Sequence, residues 1–298
     1  MRNAFARTVL LRAEKDRLIL VTGDLGYGVF DELESKMPSH FLNAGITEQS
    51  LTSMAAGLHD EDWLPIIYSI ANFPTFRNLE QIRNDIAYAK RHVIICSVGA
   101  GLSYGTLGFS HFGIEDVAIL RPLPNMRILC PSDPLRATLA TESAVATPGP
   151  TYLRLGKNGE HDFGNENQSG HLPIRSISKV GASSAVLSSG SIGLNVSEAI
   201  QGLELDHYSV EEIWPLGDPV IDVIQEYGRV IIVEEHVSVG GLFSAISEEL
   251  QHRGIEVSVE SVAVDPKDLV RSGDHAFMLS QAGLDPASLR RSFETWVI

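Results

Sequence analysis

Phe41-Leu42-Asn43-Ala44-Gly45-Ile46-Thr47-Glu48-Gln49-Ser50 is the stretch on which the reading of this chain turns. It joins an extended segment to a helix and places one carboxylate at the join. Leu51, Met54, Ala55 and Leu58 follow at i, i+3, i+4 and i+7, which predicts a core-facing helix from about Thr47. Glu48 then stands in the first helical turn, where the positive end of the helix macrodipole favours a negative charge. Taken alone, it reads as a capping acid.

Outward from this segment, helices and strands alternate. A helix near Ala4 to Glu14 precedes the strand Leu18-Ile19-Leu20-Val21, and the Glu48 helix precedes Leu64-Pro65-Ile66-Ile67-Tyr68. Leu79, Ile82, Ile86 and Ala89 stripe a helix before the strand Val93 to Val98. Asp133-Pro134 opens another helix with a cap-then-proline signature, and Thr151 to Leu155 is a strand. A polar, turn-rich run follows, after which Ala185-Val186-Leu187, His207 to Ile213, Val230 to Val233 and Val257 to Val264 read as strands. Helices are expected after Gly190, over Phe243 to Gln251, and from Asp285-Pro286. The expectation is an α/β chain of two domains, each a mostly parallel sheet with helices on both faces. The first domain is expected over residues 1–160, a linker over 161–178 and the second domain over 179–298.

Composition narrows the function. At 298 residues with 44% hydrophobic content, the chain can fill two cores, and disorder is excluded. A net charge of −15 argues against nucleic acid or an anionic membrane as partner, because both are bound through clustered Lys and Arg. Cys96 and Cys130, the two cysteines, sit in strand-like runs, which suits a reducing compartment and offers no zinc site. No metal ligands are assigned to this chain. Without a signal-like or membrane-length apolar run, a cytoplasmic location is expected.

Read with its flanks, the Glu48 segment resembles the pyrimidine-binding domain of the transketolase family of thiamine diphosphate enzymes. The supporting words, in order, are Glu80-Gln81-Ile82-Arg83-Asn84-Asp85-Ile86-Ala87-Tyr88, His111 with Ile114-Glu115-Asp116, Leu123-Pro124-Asn125-Met126, Pro131-Ser132-Asp133 and Gly149 to Gly156. Val233-Glu234-Glu235-His236 and Gly240-Gly241-Leu242 resemble the family's C-terminal domain. The diphosphate-binding half of the family carries a Gly-Asp-Gly motif. Here the Gly-Asp pairs at Gly23, Gly217 and Gly273 are not followed by Gly. The resemblance therefore implies the C-terminal subunit of a split transketolase. Its partner would be an N-terminal diphosphate-binding subunit, in an α2β2 assembly. Thiamine diphosphate would be the cofactor, its Mg2+ (or Ca2+) held mainly by that partner.

The resemblance also assigns roles. Glu48 is the carboxyl group that hydrogen-bonds the aminopyrimidine N1′ and so lets the cofactor remove its own C2 proton. Burial against Ile46 and an aromatic ring is expected to raise its pKa. Phe73, on a loop at the carboxyl end of a parallel strand, matches the aromatic that stacks on the pyrimidine. Ile70 and Phe76 match its pocket neighbours, with core packing the alternative for both phenylalanines. His111 matches a histidine that shuttles protons or binds substrate, with a packing role as the alternative. Arg154 falls where relatives hold a substrate phosphate or carboxylate, and the alternative is an ordinary paired strand arginine. Asp24 is a rim residue or a turn former. Glu234-Glu235-His236 is read as structural, because side chains alternate faces along a strand.

Three positions depart from the pattern. Gly99 stands in place of a second histidine, Leu107 in place of an acid and Phe112 in place of a glutamine. They imply a more apolar substrate end. The implied reaction is transfer of a two-carbon ketol unit from a ketose to an aldehyde. The alternatives are a decarboxylating 2-oxo acid enzyme (the beta chain of a dehydrogenase or a deoxyxylulose-phosphate-synthase-like carboligase) and a non-catalytic scaffold subunit.

Overall fold

Parallel pairing dominates both sheets of the molecule. The computed structural model describes residues 1–157, 159–160, 163 and 170–297. The strands are β1 (Leu18–Thr22), β2 (Phe41–Asn43), β3 (Leu64–Ile70), β4 (Ile94–Val98), β5 (Arg127–Leu129), β6 (Thr151–Leu155), β7 (Ile174–Ser178), β8 (Ser184–Ser189), β9 (Asp206–Val210), β10 (Glu212–Trp214), β11 (Arg229–Glu234) and β12 (Ser258–Val262). A seven-stranded sheet has the order β10-β5-β6-β4-β3-β1-β2, and a five-stranded sheet the order β12-β11-β8-β9-β7. Only the β10–β5 and β7–β9 pairs among these are antiparallel.

Alternation along the strands explains why both faces are covered. In the first sheet Leu18, Leu20, Ile66, Ile94, Cys96 and Leu153 pack with Phe5 and Val9 of the Arg2–Ala13 helix and Ala137 and Ala140 of the Pro134–Ala146 helix. Val21, Ile67, Ile95 and Tyr152, on the other face, pack with Leu51 and Ala55 of the Glu48–Asp60 helix and with Ile82 and Ile86. The second sheet divides likewise: Val186, Ile231 and Val233 meet Val196, Leu289 and Phe293, while Leu187, Val230 and Ile232 meet Val220, Ile224 and Ile246. Two α/β domains result, as the hydrophobic pattern predicts.

The differences from expectation have local causes. Met54 is exposed rather than buried; Thr52 and Ala56 share the buried face with Leu51 and Ala55. Ala89 leaves its expected stripe because Ile82–Tyr88 is a π-helical segment, whose wider turn brings Ala87 inward instead. Of the expected linker, residues 161–162 and 164–169 lie outside the described residues, and Ile174–Ser178 forms the edge strand β7. The run His207 to Ile213 is two strands, because Glu211 is a crossing point. Its N–H bonds Pro173 O at 2.8 Å in the second domain, while its carbonyl accepts from Cys130 N at 2.8 Å in the first. Its carboxylate, raised in pKa by burial, lies among Arg175, Arg136 and Ser132.

Strand order decides where a ligand can sit. The chain moves from β1 to β2 on one side and then to β3 on the other. Ligand crevices of open parallel sheets form at such reversals, outside the carboxyl ends of the strands. Glu48 follows β2, and Phe73 follows β3.

Candidate active site

Glu48 begins its helix behind Thr47, whose hydroxyl bonds back to Ala44 O at 2.8 Å. Upstream, Gly45 takes φ +72°, a conformation suited to glycine, and its N–H bonds Asn43 Oδ1 at 3.0 Å. The turn delivers Glu48 into the protein: it is 6% exposed. One of its oxygens, Oε1, accepts from Arg77 Nη1 at 2.7 Å. Ile46, expected as its apolar cover, is 69% exposed. The group that meets the carboxylate is a guanidinium.

Phe73 opens a short helical turn, Phe73–Phe76, directly after β3. It is half-buried, and the Arg77 Cζ lies 3.7 Å from its ring centroid. The residue after Arg77 fixes the segment against the Glu48 helix. Asn78 is fully buried, and its Nδ2 donates to Thr52 Oγ1 at 2.7 Å, while Thr52 Oγ1 donates to Glu48 O at 2.7 Å. Ile70 ends β3 and is partly buried, and Phe76 is exposed, so the core-packing alternative for Phe76 does not hold.

His111 reaches the same place from another strand. The loop after β4 is closed at its neck by two 2.9 Å backbone bonds between Gly101 and Gly113. Within it, Gly108 (φ +79°) joins the turns Gly105–Leu107 and Phe109–His111. The His111 ring lies 5.1 Å from that of Phe73, and its Nδ1 is 3.0 Å from Ser110 Oγ. Glu48, Phe73 and His111 are thus joined through ring and guanidinium contacts, although they follow three different strands.

The departures at the substrate end resolve separately. Gly99 has φ +86°, and a Cβ there would lie 2.0 Å from Tyr104 Cε2. The space that a side chain at position 99 would use is filled by Tyr104, a half-buried ring whose phenol is shifted upward in pKa by burial. Leu107 is exposed on the loop. Phe112 is buried with Leu102, Ile114 and Ile192, so it serves the core and does not make the pocket apolar.

Two expected substrate residues are committed elsewhere. Arg154 is 2% exposed. Its Nε donates to Asp116 Oδ2 at 2.8 Å, and Nη2 to Gly113 O at 2.6 Å and Glu235 O at 3.0 Å. Burial works against its charge, but Asp116 and its neighbours outweigh that and shift it upward. This arginine ties the two domains together, which corrects the expectation that it holds substrate. Asp24 has φ +61° and accepts from Tyr27 Oη and from Asn43 Nδ2. Those two bonds lower its pKa and make it the clasp of the turn that carries Asn43 and Gly45.

Glu234, Glu235 and His236 are buried at the domain seam, as their alternation suggested. Glu234 accepts from Leu242 N at 2.7 Å and Phe243 N at 3.0 Å, yet burial pushes its carboxyl up to about 7. Burial lowers His236 to about 4. Glu235 accepts from Leu102 N at 2.6 Å, and its charge raises the pKa of His275, 2.7 Å away. Sequence reasoning missed Arg77 and Tyr104. The four-residue spacing from Phe73 was a usable signal for Arg77, whereas nothing local announces Tyr104.

Residues 1–159 match the family profile "Transketolase, pyrimidine binding domain", and residues 181–289 match "Transketolase, C-terminal domain". The chain belongs to the transketolase family. It is 28% identical to one of the two kinds of chain of a split enzyme, the apulose-4-phosphate transketolase of Phocaeicola vulgatus, over 95% of this chain and 93% of that protein. It is 31% identical to the 1-deoxy-D-xylulose-5-phosphate synthase of Parabacteroides distasonis, over 98% of this chain but 48% of that protein. In three dimensions it is similar to a split gene transketolase solved as an inactive beta4 tetramer. That likeness has a TM-score of 0.85 and 26% identity, and covers 99% of this chain and 96% of the other. Among the described residues no helix is long and apolar enough to cross a membrane.

Proposed function

We propose that this chain is the pyrimidine-binding subunit of a two-polypeptide thiamine diphosphate enzyme that transfers a ketol unit from a ketose to an aldehyde. The observation that carries this reading is the shared contact of Glu48 and Phe73. A buried carboxylate and an aromatic face are close enough for one planar N–H donor, here the Arg77 guanidinium, to bond the first and lie on the second. An aminopyrimidine asks for the same two features, so the residues present fit it. Bound there, the cofactor would supply a nucleophilic carbon for breaking and making bonds beside a carbonyl. Glu48 would hold the proton at the N1′ edge, Phe73 would orient the ring, and Ile46, Ile70 and Phe76 would border it. His111, beside Phe73, would move protons at the reacting oxygen. Asp24 would shape the rim.

The diphosphate and its Mg2+ or Ca2+ are assigned to a diphosphate-binding partner subunit, in an α2β2 assembly. The exposed Ile46 and Phe76 beside the site support a lining completed by another chain. A relative of similar length supports it too: the transketolase chain of Phocaeicola vulgatus is matched over 93% of its length. The 31% identity to a deoxyxylulose-phosphate synthase favours, as second reading, a decarboxylating carboligase. Co-expression with the partner, followed by product analysis on ketose phosphates and on 2-oxo acids, separates the two. In the reconstituted complex Glu48→Gln should lower turnover by about 10²–10⁴-fold, the range for a placed acid–base group. Full activity in that variant overturns the catalytic reading.

A further inference from the structure

Arg77 is attached to the residues expected to hold the cofactor and to nothing else that would keep it there. It follows Phe73 by four residues around one helical turn, which returns its side chain over the ring. Its Cζ is 3.7 Å from the Phe73 centroid, and its Nη1 donates to Glu48 Oε1 at 2.7 Å. A guanidinium is planar and delocalised, with N–H donors along its edge. An aminopyrimidine placed between the same two residues is also planar and presents an N–H edge to the carboxylate. The two groups compete for one aromatic face and one carboxylate oxygen.

We propose that Arg77 is the pocket's own stand-in for the aminopyrimidine. It satisfies Glu48 and covers Phe73 in the empty subunit, and it swings outward when the cofactor seats. The inference rests on the assignment of Glu48 and Phe73 proposed above. Its structural support is an asymmetry of mobility. The Glu48 side chain is 7% exposed, whereas that of Arg77 is 45% exposed, so the arginine alone has solvent to move into. Among the described residues its guanidinium makes no other hydrogen bond. The backbone beneath it stays in place, because the adjacent Asn78 is anchored to Thr52 in the buried interior. A side-chain rotation therefore opens the site without refolding the loop.

A competitor held in the site reduces apparent affinity by the fraction of molecules that it blocks. Removing it should tighten thiamine diphosphate binding by about tenfold, equivalent to about 1.4 kcal/mol. The test is calorimetric titration of thiamine diphosphate with Mg2+ into the complex of the full chain with its diphosphate-binding subunit. Wild type, Arg77→Ala, Arg77→Gln and Glu48→Ala are compared, with stopped-flow association rates for the same set. Tighter binding and faster association are expected for both Arg77 variants, the Gln variant providing the result if the Ala variant is unstable. Unchanged or weaker binding in the folded Arg77 variants overturns the stand-in role. If at the same time Glu48→Ala still loses affinity, the cofactor assignment survives without it. If neither wild type nor any variant binds thiamine diphosphate, the pocket assignment and the stand-in fall together.

Discussion

Arg154 and Arg77 each hold a carboxylate of this chain, in opposite surroundings. The Arg154–Asp116 side chains are 2% and 1% exposed, and the guanidinium also binds carbonyls of Gly113 and Glu235. Tyr152 Oη donates to the same Asp116 oxygen at 2.5 Å. Arg77 has one hydrogen bond, to Glu48, and nearly half of its surface is in water. A buried, multiply bonded pair is fixed once the chain has folded. A pair with one mobile, solvated member can be exchanged for a ligand at low cost. The molecule uses the same chemistry as a rivet between domains and as a latch at the crevice.

The comparison breaks most easily at the rivet. Asp116→Ala leaves the Arg154 charge buried without its partner and should lower the unfolding free energy by roughly 3–5 kcal/mol, measured by denaturant titration. A loss below about 1 kcal/mol would mean that Arg154 finds water, and the contrast with Arg77 would vanish. A second, smaller test uses pH at the same seam. Glu234 is raised to about 7, so its folded form binds a proton more tightly than the unfolded chain does, and its contribution to stability declines as pH rises from about 4.5 to 7. His236 at about 4 and His207 at about 3 are lowered, so their contributions grow as pH rises towards 6.5. These effects oppose each other in the wild type. Glu234→Gln mimics the protonated acid and removes the declining contribution, so stability should rise more steeply between pH 5 and 6.5. The added slope is at most about 1.4 kcal/mol per pH unit, and an unchanged slope counts against the burial of Glu234. The smallest effect belongs to the latch. In the isolated chain Arg77→Ala should change stability by about 1 kcal/mol or less, and salt should shrink the difference further. A loss as large as that of Asp116→Ala would show Arg77 to be a second rivet.

What the sequence revealed follows the same division. Strand faces were legible because Leu18, Leu20 and Ile66 alternate with Val21 and Ile67, and the Glu48 helix was legible from its period. The positions of Glu48, Phe73 and His111 came from the resemblance; periodicity alone left Glu48 a capping acid. Arg154 was misread because a strand arginine looks the same in sequence whether it faces a ligand or the next domain. Phe112 was misread for a similar reason, since its core lies in a domain whose residues come some 70 positions later and beyond. The Ile82–Tyr88 segment shows the limit of periodic reasoning, because a wider turn changes the period itself.

β10 has a consequence for how the chain could be divided. Three residues that follow the second domain's β9 complete the border of the first domain's sheet beside β5. Cutting the polypeptide in the 160s and separating the pieces would strip that border and leave the β5 amides and carbonyls bare, an invitation to sticky edge-to-edge association. The halves are stitched by shared backbone, so gene fusions or fissions would be tolerated outside the two sheets more readily than between them.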